Sequence, residues 1–196
     1  MKVILVPGHG GKAPKGEYQD FGAVSKDESV DEFHYYQELI KNYIIPELEK
    51  NKIEYAYVER KVKKVMPYKE INSVAKDGDF AIEFHYNSYH IEAAQGSEYL
   101  YYPTSKSGLR LATLLRDNIK QAMDFALRTN DKSKQGLRPT NSGNGSAVLK
   151  NTKCPTVLIE PFFITNPGEF KKATENKKEL AKAIIKSIEE YIGSDK

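Results

Sequence analysis

Apolar residues along this chain recur at two spacings, and the spacing switches repeatedly from one end to the other. Short runs rich in Val, Ile, Tyr and Phe cover about 2–6, 53–58, 80–85, 97–102 and 156–160, which predicts strands. Between them, apolar residues at three- and four-residue steps predict helices. Residues 31–50 carry Phe33, Tyr36, Leu39, Ile40, Tyr43, Ile44 and Leu48 in that pattern. Pro46 is expected to kink or shorten this helix. Residues 106–126 repeat the pattern with Leu111, Leu115, Ile119, Ala122 and Ala126. A last helix, about 176–192, presents Leu180, Ile184, Ile188 and Tyr191 before stopping at Gly193.

Strands alternating with helices of this length require crossover connections. The expected fold is therefore α/β: a three-layer sandwich with a mostly parallel, twisted central sheet and helices on both faces. Ligands of such sheets gather outside the carboxyl ends of the strands. Here the first, third and last predicted strands lead to His9, His85 and Glu160. Segment 127–153 lacks either spacing and is rich in Asn, Ser, Thr and Gly. It reads as a long loop, either one wall of a substrate groove or a mobile surface segment.

Composition narrows the function classes. The 196 residues suffice for one domain with a core that needs no staple. No apolar stretch approaches the roughly 20 residues that span a bilayer, so membrane insertion is not expected. The opening Met1-Lys2-Val3-Ile4-Leu5-Val6-Pro7-Gly8 reads as a first core strand rather than a secretory signal. Cys154 is the single cysteine, so no intramolecular disulfide forms, and it reads as a small buried residue. The net charge of +3 and a pI near 8.7 are mildly basic. Lys61, Lys63 and Lys64 make only a short cluster, too little for a nucleic-acid surface. Mild basicity would suit an anionic polymer such as a bacterial wall.

His9 and His85 stand 76 residues apart, each just after an apolar run. If the runs are neighbouring parallel strands, both imidazoles leave the same sheet edge. Two converging imidazoles and a carboxylate make a hydrolytic zinc site. Gly8, Gly10 and Gly11 around His9 allow a sharp turn and close approach of backbone to a ligand. A phosphate loop is the rival reading, because Lys12 follows, but no Ser or Thr comes next and the glycine spacing fails. For the third ligand, spacing alone leaves Asp20, Glu28, Asp31, Glu32 and His34 in competition. Glu32 falls on the inward side of its helix with Tyr36, Leu39 and Tyr43, although an acid there also favours a helix N-terminus. Glu83, two residues before His85, shares its face and either orients that ring or faces solvent. His34 and His90 read as surface or core residues.

Glu160 follows the apolar run Thr156-Val157-Leu158-Ile159 and precedes Pro161-Phe162-Phe163. A carboxylate in that setting needs a positive partner or a function. Partial burial would raise its pKa towards general-base range.

Taken in order, Gly8-His9-Gly10-Gly11, Asp31-Glu32-Phe33, Phe84-His85-Tyr86-Asn87-Ser88, Gly96-Ser97-Glu98 and Pro155-Thr156-Val157-Leu158-Ile159-Glu160-Pro161-Phe162-Phe163-Ile164-Thr165-Asn166 resemble the zinc-dependent N-acetylmuramoyl-L-alanine amidases of the Amidase_3 type. They look most like bacteriophage endolysin catalytic domains. The resemblance spans about 1–192 and implies an amidase catalytic domain there, with a short tail at 193–196 and no separate wall-binding domain. It implies one zinc ion per chain held by His9, Glu32 and His85, with Glu160 as catalytic acid/base. Many members carry a small or hydroxyl residue where this chain has Glu83, whose role stays open. The implied reaction cleaves the amide between N-acetylmuramic acid and L-alanine in peptidoglycan, with Asn87, Arg138 and Asn144 as candidate substrate contacts. A zinc peptidase or deacetylase acting on another wall bond, or a non-catalytic wall-binding module, are the alternatives. The expected setting is a monomeric phage lysin that accumulates in the host cytoplasm and then reaches the wall.

Overall fold

The computed structural model describes residues 1–10, 20–27, 29–61 and 66–193. Gly11, Lys12, Glu28, Lys63, Lys64 and all of the tail except Gly193 lie outside the described residues.

Six strands form one sheet: β1 (Val3–Pro7), β2 (Tyr55–Tyr57), β3 (Phe80–Phe84), β4 (Glu98–Tyr101), β5 (Leu137–Pro139) and β6 (Thr156–Glu160). Their order is β2-β1-β3-β6-β4-β5. β1 pairs in parallel with β2 and β3, and β3 with β6. β4 runs antiparallel to β6, and β5 runs parallel to β4. The helices are α1 (Glu32–Leu39), α2 (Ile45–Lys50), α3 (Pro67–Val74), α4 (Lys106–Met123), α5 (Ser146–Asn151), α6 (Pro167–Glu175) and α7 (Lys177–Gly193).

Strand side chains alternate between faces, and the buried residues sort accordingly. Val3, Leu5, Phe80, Ile82, Val157 and Ile159 join Tyr36, Leu39, Leu111, Leu115, Ile184 and Ile188 in one core. On the other face Ile4, Val6 and Ala81 pack with Ile71 of α3 and Val148 of α5. Leu100 and Leu158 meet Leu149 nearby. The sheet is thus covered on both sides, the α/β sandwich that the alternation predicts.

Several details differ from the sequence pattern. Around Pro46 the helix neither ends nor breaks. Ile40–Ile44 forms a π-helical turn, in which the Ile45 N–H bonds to the Ile40 carbonyl. That wider turn feeds Pro46 into the first turn of α2, where a missing N–H costs little. Segment 127–153 is not a plain loop, because it holds β5 and α5. β5 has three residues and survives by pairing with β4 at the sheet edge, where Pro139 is tolerated. α3, α5 and α6 also escaped the periodic reading, since helices of 8, 6 and 9 residues show barely two turns of pattern. Start signals were present for two of them. Pro67 and Pro167 occupy the first turns of α3 and α6.

The antiparallel β4 shapes the functional edge. It brings Glu98, its first residue, opposite Glu160, the last residue of β6. The starts of β4 and β5 therefore lie on the sheet edge where β1, β3 and β6 end.

Candidate active site

Three side chains that could hold a metal ion meet at this edge. One ligand atom each from His9, Glu32 and His85 lies within 4.8 Å of the others, the only such cluster among the described residues. His9 follows β1 and His85 follows β3, and the two neighbouring strands bring their rings to 5.0 Å between centroids, near edge-on at 75°. Glu32 opens α1 and is 2% exposed. Its carboxylate is held at both ends: Oε2 accepts from the Ala23 N–H (3.0 Å) and Oε1 from the Tyr86 N–H (3.0 Å). Each oxygen also faces a ring nitrogen, Oε2 at 3.2 Å from His9 Nε2 and Oε1 at 2.9 Å from His85 Nδ1.

The other nitrogen of each ring faces a further carboxylate. His9 Nδ1 lies 3.0 Å from Asp20 Oδ1, and His85 Nε2 lies 3.3 Å from Glu83 Oε1. The Asp20 hydrogen bond on the outer nitrogen of His9 fixes its tautomer and leaves the inner lone pair for a metal, whereas Glu83 faces His85 at ion-pair distance without a hydrogen bond. Glu83 is therefore buried, 2% exposed, and turned towards His85 rather than to solvent. Arg60 secures the Asp20 side, donating to Asp20 Oδ2 (2.6 Å) and to the Gly10 carbonyl (2.9 Å). Tyr36 Oη fixes the backbone at His85 by donating to its carbonyl at 2.6 Å.

Close packing sets the local sequence. A Cβ on Gly8 would fall 2.3 Å from the His85 ring, so only glycine fits there. His9 itself has φ +63°, a left-handed conformation that costs a non-glycine residue about 1–3 kcal/mol and concentrates at functional sites.

The electrostatics call for a cation. Burial works against charge on His85, yet Glu32 and Glu83 hold its pKa well above the usual value. Burial likewise opposes charge on His9, and Glu32 more than offsets it, raising that pKa too. Burial alone would raise Glu32, but His85 and His9 bring it down to about 2. Three acids, Glu32, Asp20 and Glu83, thus surround two imidazoles, and Glu83 Oε2 and His85 Nε2 are buried without a hydrogen-bond partner. Two nitrogens, one oxygen and surplus negative charge make a donor set that fits a divalent metal.

Glu160 ends β6 beside this group and lines the same cleft of about 610 Å³ with His9, Glu32 and His85. Burial, then the charges of Glu98 and Glu32, push its pKa up to about 7 against the opposing pull of His85 and Arg138. A carboxyl poised there is suited to general acid–base work.

Comparison with known proteins agrees with this geometry. Residues 3–190 match the model of the Amidase_3 family, N-acetylmuramoyl-L-alanine amidase. The chain belongs to that family. No curated protein matches it significantly. The catalytic domain of CwlV, an N-acetylmuramoyl-L-alanine amidase from Bacillus (Paenibacillus) polymyxa var. colistinus, is similar at 24% identity and TM-score 0.75, over 98% of this chain and 99% of that one. An N-acetylmuramoyl-L-alanine amidase from Clostridium difficile 630 is similar at 24% identity and TM-score 0.76, over 100% and 98%. The catalytic domain of the CD27L endolysin, which targets Clostridia difficile, is similar at 24% identity and TM-score 0.74, over 96% of each chain. At these identities the likeness establishes the amidase catalytic-domain fold.

Within this family member, the five competitors for the third ligand separate. Glu32 joins the histidines, Asp20 backs His9, and Asp31 caps α1 by accepting from the His34 N–H at 2.9 Å. His34 leans outward on Asp31 with its side chain 57% exposed, and exposed His90 stacks on Tyr89. Glu28 lies outside the described residues. Cys154 is buried and unpaired, as its sequence context suggests. Asn87 and Asn144 line the cleft with Glu160. Arg138 stands two strands further along, on β5, 3.5 Å from Glu98.

Sequence reasoning missed Arg60, Arg128 and the part played by Glu98. Nothing marks Arg60 or Arg128 among other surface-like cations. Glu98 did carry a signal, an acid opening an apolar strand after Gly96-Ser97.

Proposed function

We propose that this protein hydrolyses the amide between N-acetylmuramic acid and L-alanine in bacterial peptidoglycan, using one zinc ion at His9, Glu32 and His85. The observation that carries this reading is the meeting of those three ligands with Glu160 in one cleft of a chain from the amidase family. When bound there, zinc would supply Lewis acidity, lowering the pKa of water and stabilising an oxyanion.

This chain's own residues do the rest. Asp20 and Glu83 fix the two rings so that their inner nitrogens face Glu32. Glu160 takes a proton from the attacking water and returns it to the departing alanine nitrogen. Its pKa near 7 lets one carboxyl serve both steps. Asn87 and Asn144 offer amide groups at the cleft wall to the polar backbone of the substrate.

A lytic setting, with a monomeric phage enzyme accumulating in the host cytoplasm before it reaches the wall, is supported by the motif resemblance alone. The test of function is digestion of purified walls with and without chelator, followed by mass analysis. An amidase exposes alanine amino termini and peptide-free glycan. Cuts inside the stem peptide, or loss of acetyl groups only, would overturn the reading.

A further inference from the structure

The polar row along the sheet edge continues beyond Glu160. Glu98 on β4 faces it, and Leu100 of β4 pairs with Arg138 of β5 on the next strand. A second cavity of about 580 Å³ opens here, lined by Glu98, Arg128, Lys132, Arg138 and Phe163, and it shares Asn87, Ser88 and Asn144 with the catalytic cleft. Glu160 and Arg138 also border one further cavity together.

Two guanidiniums share the single buried carboxylate of Glu98. Arg128 Nε and Arg138 Nη1 each lie 3.5 Å from Glu98 Oε2, while Ser133 Oγ donates to Oε1 at 2.6 Å and Asn87 Nδ2 to Oε2 at 3.3 Å. Contacts that long leave most of the five N–H donors of each guanidinium uncommitted. Arg128 is further fixed over the Phe163 ring, 5.1 Å from its centroid. With exposed Lys132 and Asp131 included, the wall holds three cations against two acids. The neighbouring cleft sets Asp20, Glu32, Glu83 and Glu160 against Arg60 and is acidic. Charge therefore reverses sign along the row.

Accepting the amidase reading above, we propose that this basic pocket binds a carboxylate of the stem peptide on the leaving-amine side of the scissile bond. The glycan offers only neutral hydroxyl and acetamido groups in reach, whereas planar guanidinium forks match a carboxylate. Distance agrees with a peptide. β6 to β5 is two strand spacings, about 10 Å, and an extended peptide covers that in about three residues.

The test uses soluble muramoyl tripeptides whose second or third residue carries a carboxylate or the corresponding carboxamide. Changing one of these carboxylates to the amide should lower kcat/KM of the parent protein about tenfold, chiefly through KM. In Arg128→Gln that difference should collapse, and in Arg128→Lys part of it should return. Because Arg128 and Arg138 both neutralise Glu98, both glutamine variants are read beside their thermal unfolding, and the exposed Lys132→Gln provides a variant without that structural role. A parent protein indifferent to every carboxylate overturns the proposal, as does a preference that persists undiminished in all three glutamine variants. If all tripeptides are cut equally between muramic acid and alanine, only the pocket assignment falls. If none is cut there, the amidase reading fails and takes the pocket with it.

Discussion

Glu98 and Glu160 stand directly opposite each other where β4 and β6 pair. Like charges in that position destabilise a sheet unless something neutralises them. Glu98 has Arg128 and Arg138, and it is buried among them. Glu160 has no ion-pair partner among the described residues, and burial, followed by the charges of Glu98 and Glu32, raises its pKa.

Activity should therefore follow the ionisation of Glu160. The pH profile of kcat/KM on wall fragments should rise through an apparent pKa near 7, where Glu160 gives up its proton. Glu160→Gln should lower kcat by about 100-fold or more while leaving the fold intact. A profile still rising at its parent pKa in that variant would remove Glu160 from the role of base.

The same burial should cost stability. Between its ordinary 4.5 and about 7 the unfolded chain has released this proton and the folded protein has kept it. Stability from this group is thus present at low pH and lost as pH rises through 7, about 3 kcal/mol in metal-free protein. Metal-free Glu160→Gln should melt higher than the parent at pH 8 and close to it at pH 4. Calorimetry at the two pH values measures this directly.

Metal removal should act on both stability and rate. Dialysis against chelator should abolish wall digestion and lower Tm, and added zinc should restore both, because a ligand bound only by the folded state stabilises it. His9→Ala, Glu32→Ala and His85→Ala should each lose bound zinc by elemental analysis. Full zinc content in Glu32→Ala would return the third ligand to open competition.

Asp20→Asn should weaken zinc affinity about 10- to 100-fold without unfolding the protein, since the residue acts by orienting His9. Competition with a chromophoric chelator reads that shift. An unchanged affinity would reduce the Asp20–Arg60 pair to a loop tether.

Gly8→Ala should cost about 1–3 kcal/mol, because its Cβ meets the His85 ring at 2.3 Å and the ring must move. Loss of zinc affinity should accompany the loss of stability. Retained affinity would show that β1 yields instead of His85.

Much of the architecture was legible in the chain. Period-two runs such as Val3-Ile4-Leu5-Val6 divide cleanly between the two cores, and the stripe Leu180, Ile184, Ile188 lies buried in α7. Short elements were not legible. β5 exists only because β4 supplies its partner, and α5 is six residues packed on the sheet. Pro46 was expected to kink or shorten its helix; the helix instead continues past it behind a π-helical turn, a backbone adjustment that side-chain spacing does not encode.

For the site, the sequence by itself determined which residues sit at strand ends: His9, His85 and Glu160 each follow an apolar run, and local burial patterns are written in neighbouring residues. It also confined Glu32 to the inward side of its helix, where the family resemblance then favoured it. Only the tertiary structure decided that Glu32 joins the histidines while Asp20 and Glu83 back them, and that Glu98 faces Glu160 with two arginines. Apart from Glu83 and His85, those are meetings between residues 11 to 62 positions apart. Strand order and register set them, and neither leaves a trace in local periodicity.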